Sequence, residues 1–147
     1  MEYFEKIIQI EQPVDNIYSI IANINNYPDF LPFCDSSTIL STTEDVITAK
    51  IDFNFYSHKV SITTENKNIK NESIEMRLMD GPFNSFNALW LFSKNSSYST
   101  NIKYSMEYQV SNPITAILIK KNMNFFIDLF IKAFKKQIKK KEVSSCQ

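Results

Sequence analysis

The chain has a single glycine, a single histidine and two cysteines among its 147 residues. One glycine leaves no room for the Gly-rich turns that cradle phosphates in nucleotide-binding loops. One histidine, His58, leaves no His-rich metal set, so no metal ligands are assigned. Cys34 and Cys146 lack metal spacing, and a reducing compartment keeps both as thiols, so no disulfide framework is expected. The first residues, Met1-Glu2-Tyr3-Phe4-Glu5-Lys6, have neither the basic start nor the apolar run of a signal peptide. Nothing there directs export, and the cytoplasm is the expected location. No uninterrupted apolar run reaches the roughly 18 residues that a membrane span requires.

Charge is plentiful but unevenly placed. Sixteen basic and sixteen acidic residues cancel, yet eight lysines follow residue 119 against only Asp128 and Glu142, leaving the tail at +6 and the body at −6. The asymmetry points to an encounter with an anionic surface, either phospholipid headgroups or RNA, with Lys132, Lys135, Lys136, Lys139, Lys140 and Lys141 as the contacts. The ordinary alternative is a solvated helix terminus whose lysines complement the helix dipole.

The stretch from Pro113 to Lys141 is periodic enough to be one helix. Lys121, Asn124, Asp128, Lys132, Lys135 and Lys139 fall in a stripe about 80° wide at about 100° per residue. The remaining arc holds Met123, Phe125, Phe126, Ile127, Leu129, Phe130, Ile131, Ala133, Phe134 and Ile138. That arc is wider than the apolar stripe of an ordinary surface helix, so cover on more than one side is expected. Pro113 suits the first turn, with Asn112 or Ser111 as the cap.

Before it, Tyr3 to Glu11 alternates as a strand, and Val14, Ile17, Ile20, Ile21 and Ile24 recur at helical spacing until Asn25-Asn26. The segment Tyr27-Pro28-Asp29-Phe30-Leu31-Pro32-Phe33-Cys34 allows a short helical turn, with Asn26 as its cap and Pro28 in its first turn. It either plugs a core or forms the mouth of an apolar pocket, and the expectation is a gate. From Thr38 to Val110 the period is two. Ile47, Ala49, Ile51, Phe53 and Phe55 share one face, as do Val60 and Ile62, and Ile74, Met76 and Leu78. Phe86, Ala88, Trp90 and Phe92 form another set, and Tyr98, Thr100, Ile102, Tyr104, Met106, Tyr108 and Val110 the last. About six antiparallel strands with one wet face need a cover, and only the C-terminal helix is long enough to be one. Gly81, in Asp80-Gly81-Pro82-Phe83, marks the turn expected to need positive φ most.

These motifs carry a family resemblance. The Tyr27–Cys34 loop, the Asp80-Gly81-Pro82-Phe83 turn, Trp90-Leu91-Phe92, and the terminal helix with Phe130 and Ala133-Phe134 match in order and spacing across nearly the whole chain. They resemble the START-like family of coenzyme Q-binding proteins and RatA-type ribosome association toxins, within the polyketide cyclase/dehydrase superfamily. The resemblance does not separate those two branches. It implies an α+β helix-grip fold, residues 1–147 forming one START-like domain: a curved antiparallel sheet wrapped around the C-terminal helix. Between them it implies an apolar tunnel lined by Tyr27, Phe30, Leu31, Phe33, Phe83, Trp90, Met123, Phe126 and Phe130. The implied ligand is ubiquinone or a similar polyprenyl quinone, held without catalysis in support of respiratory electron transport, with peripheral contact at the inner face of a membrane. The other branch implies binding to the large ribosomal subunit and a block on subunit association; neither implies a DNA partner. Asparagine and serine in Ser85-Phe86-Asn87-Ala88 stand where relatives often carry glycine. Read from the residues alone, the same aromatics either line a cavity or fill a core.

Catalysis finds little support in the residues. Cys34 with His58 makes a nucleophile and base only if the fold joins them. A cyclase-like acid/base site would draw first on Asp80, Asp29 and Tyr27.

Overall fold

A computed structural model describes residues 1–145, with side chains through Lys140. Cys146 and the side chain of Lys141 lie outside the described residues. Strand β1 (Glu2–Ile10) leads into helix α1 (Val14–Ala22), a 3₁₀ turn (Ile24–Asn26) and the short helix α2 (Tyr27–Phe30). Six strands follow: β2 (Cys34–Thr42), β3 (Val46–Phe55), β4 (His58–Ile69), β5 (Ser73–Asp80), β6 (Ser85–Ser96) and β7 (Ser99–Gln109). Helix α3 (Pro113–Ser145) is the last element described. The strands make one antiparallel sheet in the order β1-β7-β6-β5-β4-β3-β2. The sheet curls around α3 in the helix-grip arrangement that the sequence predicts.

Alternation decides which side of each strand faces α3. On β7, Thr100, Ile102, Tyr104, Met106 and Tyr108 are buried, while Lys103, Glu107 and Gln109 face out. Tyr98 departs from the expected set: it sits in the β6–β7 turn and is exposed. A register shift between Thr63 and Thr64 on β4 adds the local bend that lets the sheet curl.

The boundaries differ in two places. Helix α1 stops at Ala22 rather than at Asn25-Asn26, because Asn23 (φ −87°, ψ 78°) leaves the helical region and the chain continues as a 3₁₀ turn that keeps Ile24 buried. Strand β2 begins at Cys34, four residues before the predicted change of period. Gly81 has positive φ (159°), as expected, and four other residues, Phe33 (64°), Tyr56 (53°), Ser57 (76°) and Asn71 (63°), adopt the left-handed conformation. The caps split. Asn112 Oδ1 accepts from the Ile114 and Thr115 amides at 3.0 and 3.1 Å, whereas Asn26 occupies the cap position of α2 without a side-chain bond.

Strand β1 runs alongside α3 and is tied to it twice. Lys120 Nζ lies 2.7 Å from Glu2 Oε1, and Lys6 Nζ lies 3.3 Å from Asp128 Oδ1. Four residues of strand and eight of helix both span about 12–13 Å, so the two pairs stay in step. The Lys120 ammonium, by hydrogen bond and charge, holds the Glu2 carboxyl below its ordinary range.

Candidate functional site

Most of the predicted lining residues fall into two ring clusters. The first is closed. Trp90 packs on Tyr104 (ring centroids 4.6 Å apart), Phe92 (6.4 Å) and Phe134 (5.8 Å), and Phe134 in turn meets Tyr27 (5.4 Å) and Phe30 (5.5 Å). Trp90, Tyr104, Tyr27, Phe92 and Phe134 are all buried, with Leu31 and Cys34 in the same core. The Tyr27 hydroxyl donates to the Ile21 carbonyl, which ends α1, and burial raises its pKa. Tyr27 in α2 and Leu31 just after it are therefore packed into this core in this conformation.

The second cluster lies at the β3–β4 turn and is only half-buried. Phe33 packs on Phe55 (5.2 Å), Tyr56 (5.5 Å) and Phe126 (5.4 Å); Phe55 and Phe126 are 4.6 Å apart; Phe53 stacks on Phe130 at 5.8 Å. These rings bridge sheet and helix and occupy the space between them, so a ligand entering here displaces side chains. Tyr56 is 78% exposed and Phe125, which touches Phe126, is 54% exposed. Three of the four left-handed residues, Phe33, Tyr56 and Ser57, meet at this spot. The Tyr56-Ser57 turn has positive φ at both central positions, a shape that favours Asn-Gly, yet it is built from tyrosine and serine. Strain of this kind persists where surrounding contacts enforce it, and it concentrates at ligand clamps. Phe33 is enforced by its carbonyl, which accepts from the Asn54 amide at 2.8 Å.

Phe83 belongs to neither cluster and packs on Phe86 (5.2 Å) and Tyr108 (5.9 Å). Met123 is half-buried on α3. Trp90 and Phe126, expected to face one space, thus sit in different clusters. A surface cavity of about 350 Å³ between α1 and α3 is bordered by Ser19, Asn23, Asn26, Phe30, Gln137 and Lys140.

Sequence reasoning passed over Phe53, Phe55 and Tyr56 as ordinary strand and turn residues. It also passed over the inward side of β4. Extending Val60 and Ile62 in steps of two reaches Thr64, Asn66 and Asn68, polar residues in an apolar register, and that break in pattern was the available signal.

Helix α3 changes character along its length. In its second half Ile127, Ile131, Phe134 and Ile138 are buried. In its first half Ile114 (72%), Ile117 (66%) and Leu118 face solvent beside exposed Lys121. Full burial along the apolar arc therefore begins only at Ile127, while Ile119, Met123 and Phe126 before it are partly covered. Lys132, Lys135, Lys136, Lys139 and Lys140 are exposed, and none forms an ion pair among the described residues.

The candidate acid, base and nucleophile groups are dispersed. Cys34 is buried, donates to the Ser36 carbonyl at 3.7 Å, and has its thiol pKa pushed up to about 11 by desolvation and the nearby carboxylates of Asp35 and Asp52. That shift is opposite to what a nucleophile needs. His58 is exposed at the start of β4, and Asp29 and Asp80 face solvent. Among the described residues no three His, Cys, Asp or Glu side chains converge as metal ligands, and no helix is long and apolar enough to cross a membrane.

Comparison with known proteins matches these features to a family. Residues 10–135 fit the family model described as polyketide cyclase / dehydrase and lipid transport. The chain is 26% identical over 147 residues to the ribosome association toxin RatA of Escherichia coli K12, covering all of this chain and 92% of that protein. It is 30% identical over 136 residues to the mitochondrial coenzyme Q-binding protein COQ10 of Dictyostelium discoideum, covering 88% of this chain and 65% of that one. Among solved structures, a Mycobacterium smegmatis START superfamily protein superposes with a TM-score of 0.81 at 17% identity, covering 94% of this chain and 97% of its own. The Zhui aromatase/cyclase of a Streptomyces species reaches 0.83 at 10% identity, covering 94% and 93%, a likeness of fold alone. The chain belongs to the polyketide cyclase / dehydrase and lipid transport family.

Proposed function

We propose that this chain is a non-enzymatic lipid carrier that takes a polyprenyl quinone, ubiquinone or a close analogue, between its sheet and α3, in support of respiratory electron transport. The observation that carries the reading is the half-buried, strained aromatic cluster of Phe33, Phe53, Phe55, Phe126 and Phe130. A helix-grip core with no ligand to admit has little reason to leave five rings half-covered beside three left-handed residues, because burying them fully would add roughly 25 cal/mol per Å² of apolar surface. The lining set Tyr27, Phe30, Leu31, Phe33, Phe83, Trp90, Met123, Phe126 and Phe130 then divides by role. Phe33, Phe126 and Phe130, joined by Phe53 and Phe55, admit and hold the ligand, while Tyr27, Leu31 and Trp90 form the fixed wall behind it.

The chain works from the cytoplasm and approaches the inner face of a membrane by the first half of α3, where Ile114, Ile117, Leu118 and Phe125 insert and Lys121 meets headgroups. Names among the relatives point both ways, since COQ10 proteins are named for coenzyme Q and RatA for ribosome association. The unpaired lysines at Lys132, Lys135, Lys136, Lys139 and Lys140 favour a second reading, in which that face docks on the large ribosomal subunit through RNA phosphates and hinders subunit association.

Organic extraction of the purified protein followed by mass analysis tests the first reading. A polyprenyl quinone recovered near one per chain supports it, and a chain that yields no lipid and fails to retain added quinone contradicts it.

A further inference from the structure

The inner face of β4 carries a polar rung that an apolar core does not require. Along this strand the inward positions run Val60, Ile62, Thr64, Asn66, Asn68, opposite Ala49 and Ile47 on β3 and Leu78, Met76 and Ile74 on β5. Thr64 is 3% exposed and Asn66 only 1%. Thr64 Oγ1 donates to Asn66 Oδ1 at 2.8 Å, which fixes the oxygen end of the Asn66 carboxamide and with it the direction of its NH2 group. Two residues on, Asn68 Oδ1 is buried and accepts no hydrogen bond among the described residues. Buried polar groups are nearly always paired, because leaving one unpaired forfeits its hydration with no return. An oriented buried carboxamide and an unused buried acceptor therefore lie two residues apart on the wall of the grip. The next inward residues across the sheet from Asn66 are Met76 and then Ala88, a flexible side chain and a small one.

We infer that Thr64, Asn66 and Asn68 form the subsite that recognises the oxygen-bearing head of the ligand. The Asn66 amide donates to a ring carbonyl, Thr64 fixes that amide's orientation through its Oδ1, and Asn68 Oδ1 accepts from a ring hydroxyl. Together they suit a polyprenyl head that alternates between carbonyl and hydroxyl forms, and they give a bare hydrocarbon nothing. The head lies deep and the tail leads out past Phe33 and Phe126: the six steps from Val60 to Asn66 span about 20 Å of strand. Trp90 aligns with Asn68 through Ile74, two strands across, so a head bound here comes within about 10 Å of the indole. This subsite rests on the lipid-carrier reading above.

Trp90 is the only tryptophan, so its fluorescence reports on this site without ambiguity. The test titrates delipidated protein with decylubiquinone, a quinone with a ten-carbon tail, and measures decylbenzene by its competition with it and by partition. The expected result is quenching of Trp90 by the quinone and at least a tenfold preference for quinone over decylbenzene. In Asn66→Leu, which matches the shape of the amide, that preference disappears while decylbenzene binding and melting temperature are retained or raised. Thr64→Val gives a partial loss and guards against a folding defect in the first variant. Equal preference in wild type and both variants overturns the subsite while leaving the carrier reading intact. Binding of neither compound to the wild type overturns both.

Discussion

The two halves of α3 share one helix and an almost equal supply of large apolar side chains, yet they meet different surroundings. From Ile127 onward, Ile127, Ile131, Phe134 and Ile138 are sunk against α1, α2 and the sheet, and the polar stripe carries lysines into solvent. From Ile114 to Phe126 the helix has apolar residues on its outside, and it meets the sheet through the Lys120–Glu2 ion pair and the half-buried ring of Phe126. The difference shows that hydrophobic content along a helix does not say what the helix is for. Apolar surface that the fold covers contributes to stability, and surface that it leaves open is available to a lipid or membrane.

Matched substitutions break the comparison most sharply. Phe134→Ala removes a ring packed on Tyr27, Phe30 and Trp90 and is expected to cost about 3–5 kcal/mol, lowering the melting temperature by roughly 10 °C. Phe126→Ala is expected to cost less than half as much, since its ring is only half-buried, while weakening retention of decylubiquinone by about tenfold. Thermal melts and a retention assay on the pair decide it, and equal losses of stability would erase the distinction.

Membrane attachment is expected to follow the first half of the helix. Ile117→Ser with Leu118→Ser should lower co-sedimentation with vesicles by at least tenfold and leave the melting temperature within a few degrees, because both side chains already face water. The lysine face should respond differently. Replacing Lys132, Lys135, Lys136, Lys139 and Lys140 with glutamine is expected to reduce the salt dependence of any binding to large ribosomal subunits by a few units of slope, with little change in quinone retention.

The smallest expected effect concerns Cys34. Its thiol pKa stands near 11 in the folded chain against 9.0 for the ordinary group. The folded state therefore keeps a proton that the unfolded state releases above pH 9, and stability from this group is complete below pH 9 and declines between about 9 and 11. In a Cys146→Ser background, alkylation of Cys34 at pH 8 should run far more slowly than that of a free thiol and accelerate only as the pH approaches 11 or the chain unfolds. Rapid alkylation of the native protein at pH 8 would contradict its burial.

Much of the fold was legible because period-two and period-three-to-four patterns are imposed by the backbone itself. The inward sets on β3, β6 and β7 and the buried isoleucines of α1 all read directly from spacing. The site was legible only in outline. Phe33, Phe126 and Phe130 could be named as apolar, but which rings are half-covered depends on how far the curled sheet reaches along α3, and alternation carries no information about that. Left-handed φ at Phe33, Tyr56 and Ser57 was hidden because these residue types rarely adopt it, so tertiary contacts rather than local preference set it. The end of α1 was misplaced because Ile24 keeps the helical spacing even though it sits in a 3₁₀ turn.

Amide hydrogen exchange of the delipidated protein, with and without decylubiquinone, tests the division of the grip most directly. Slowed exchange at residues 54–59 and 123–130, with none at 27–30 or 131–138, is the expected result. Slowing confined to 131–138, or no change anywhere in the chain, would contradict the claim that one part of the helix holds the fold and the other takes the ligand.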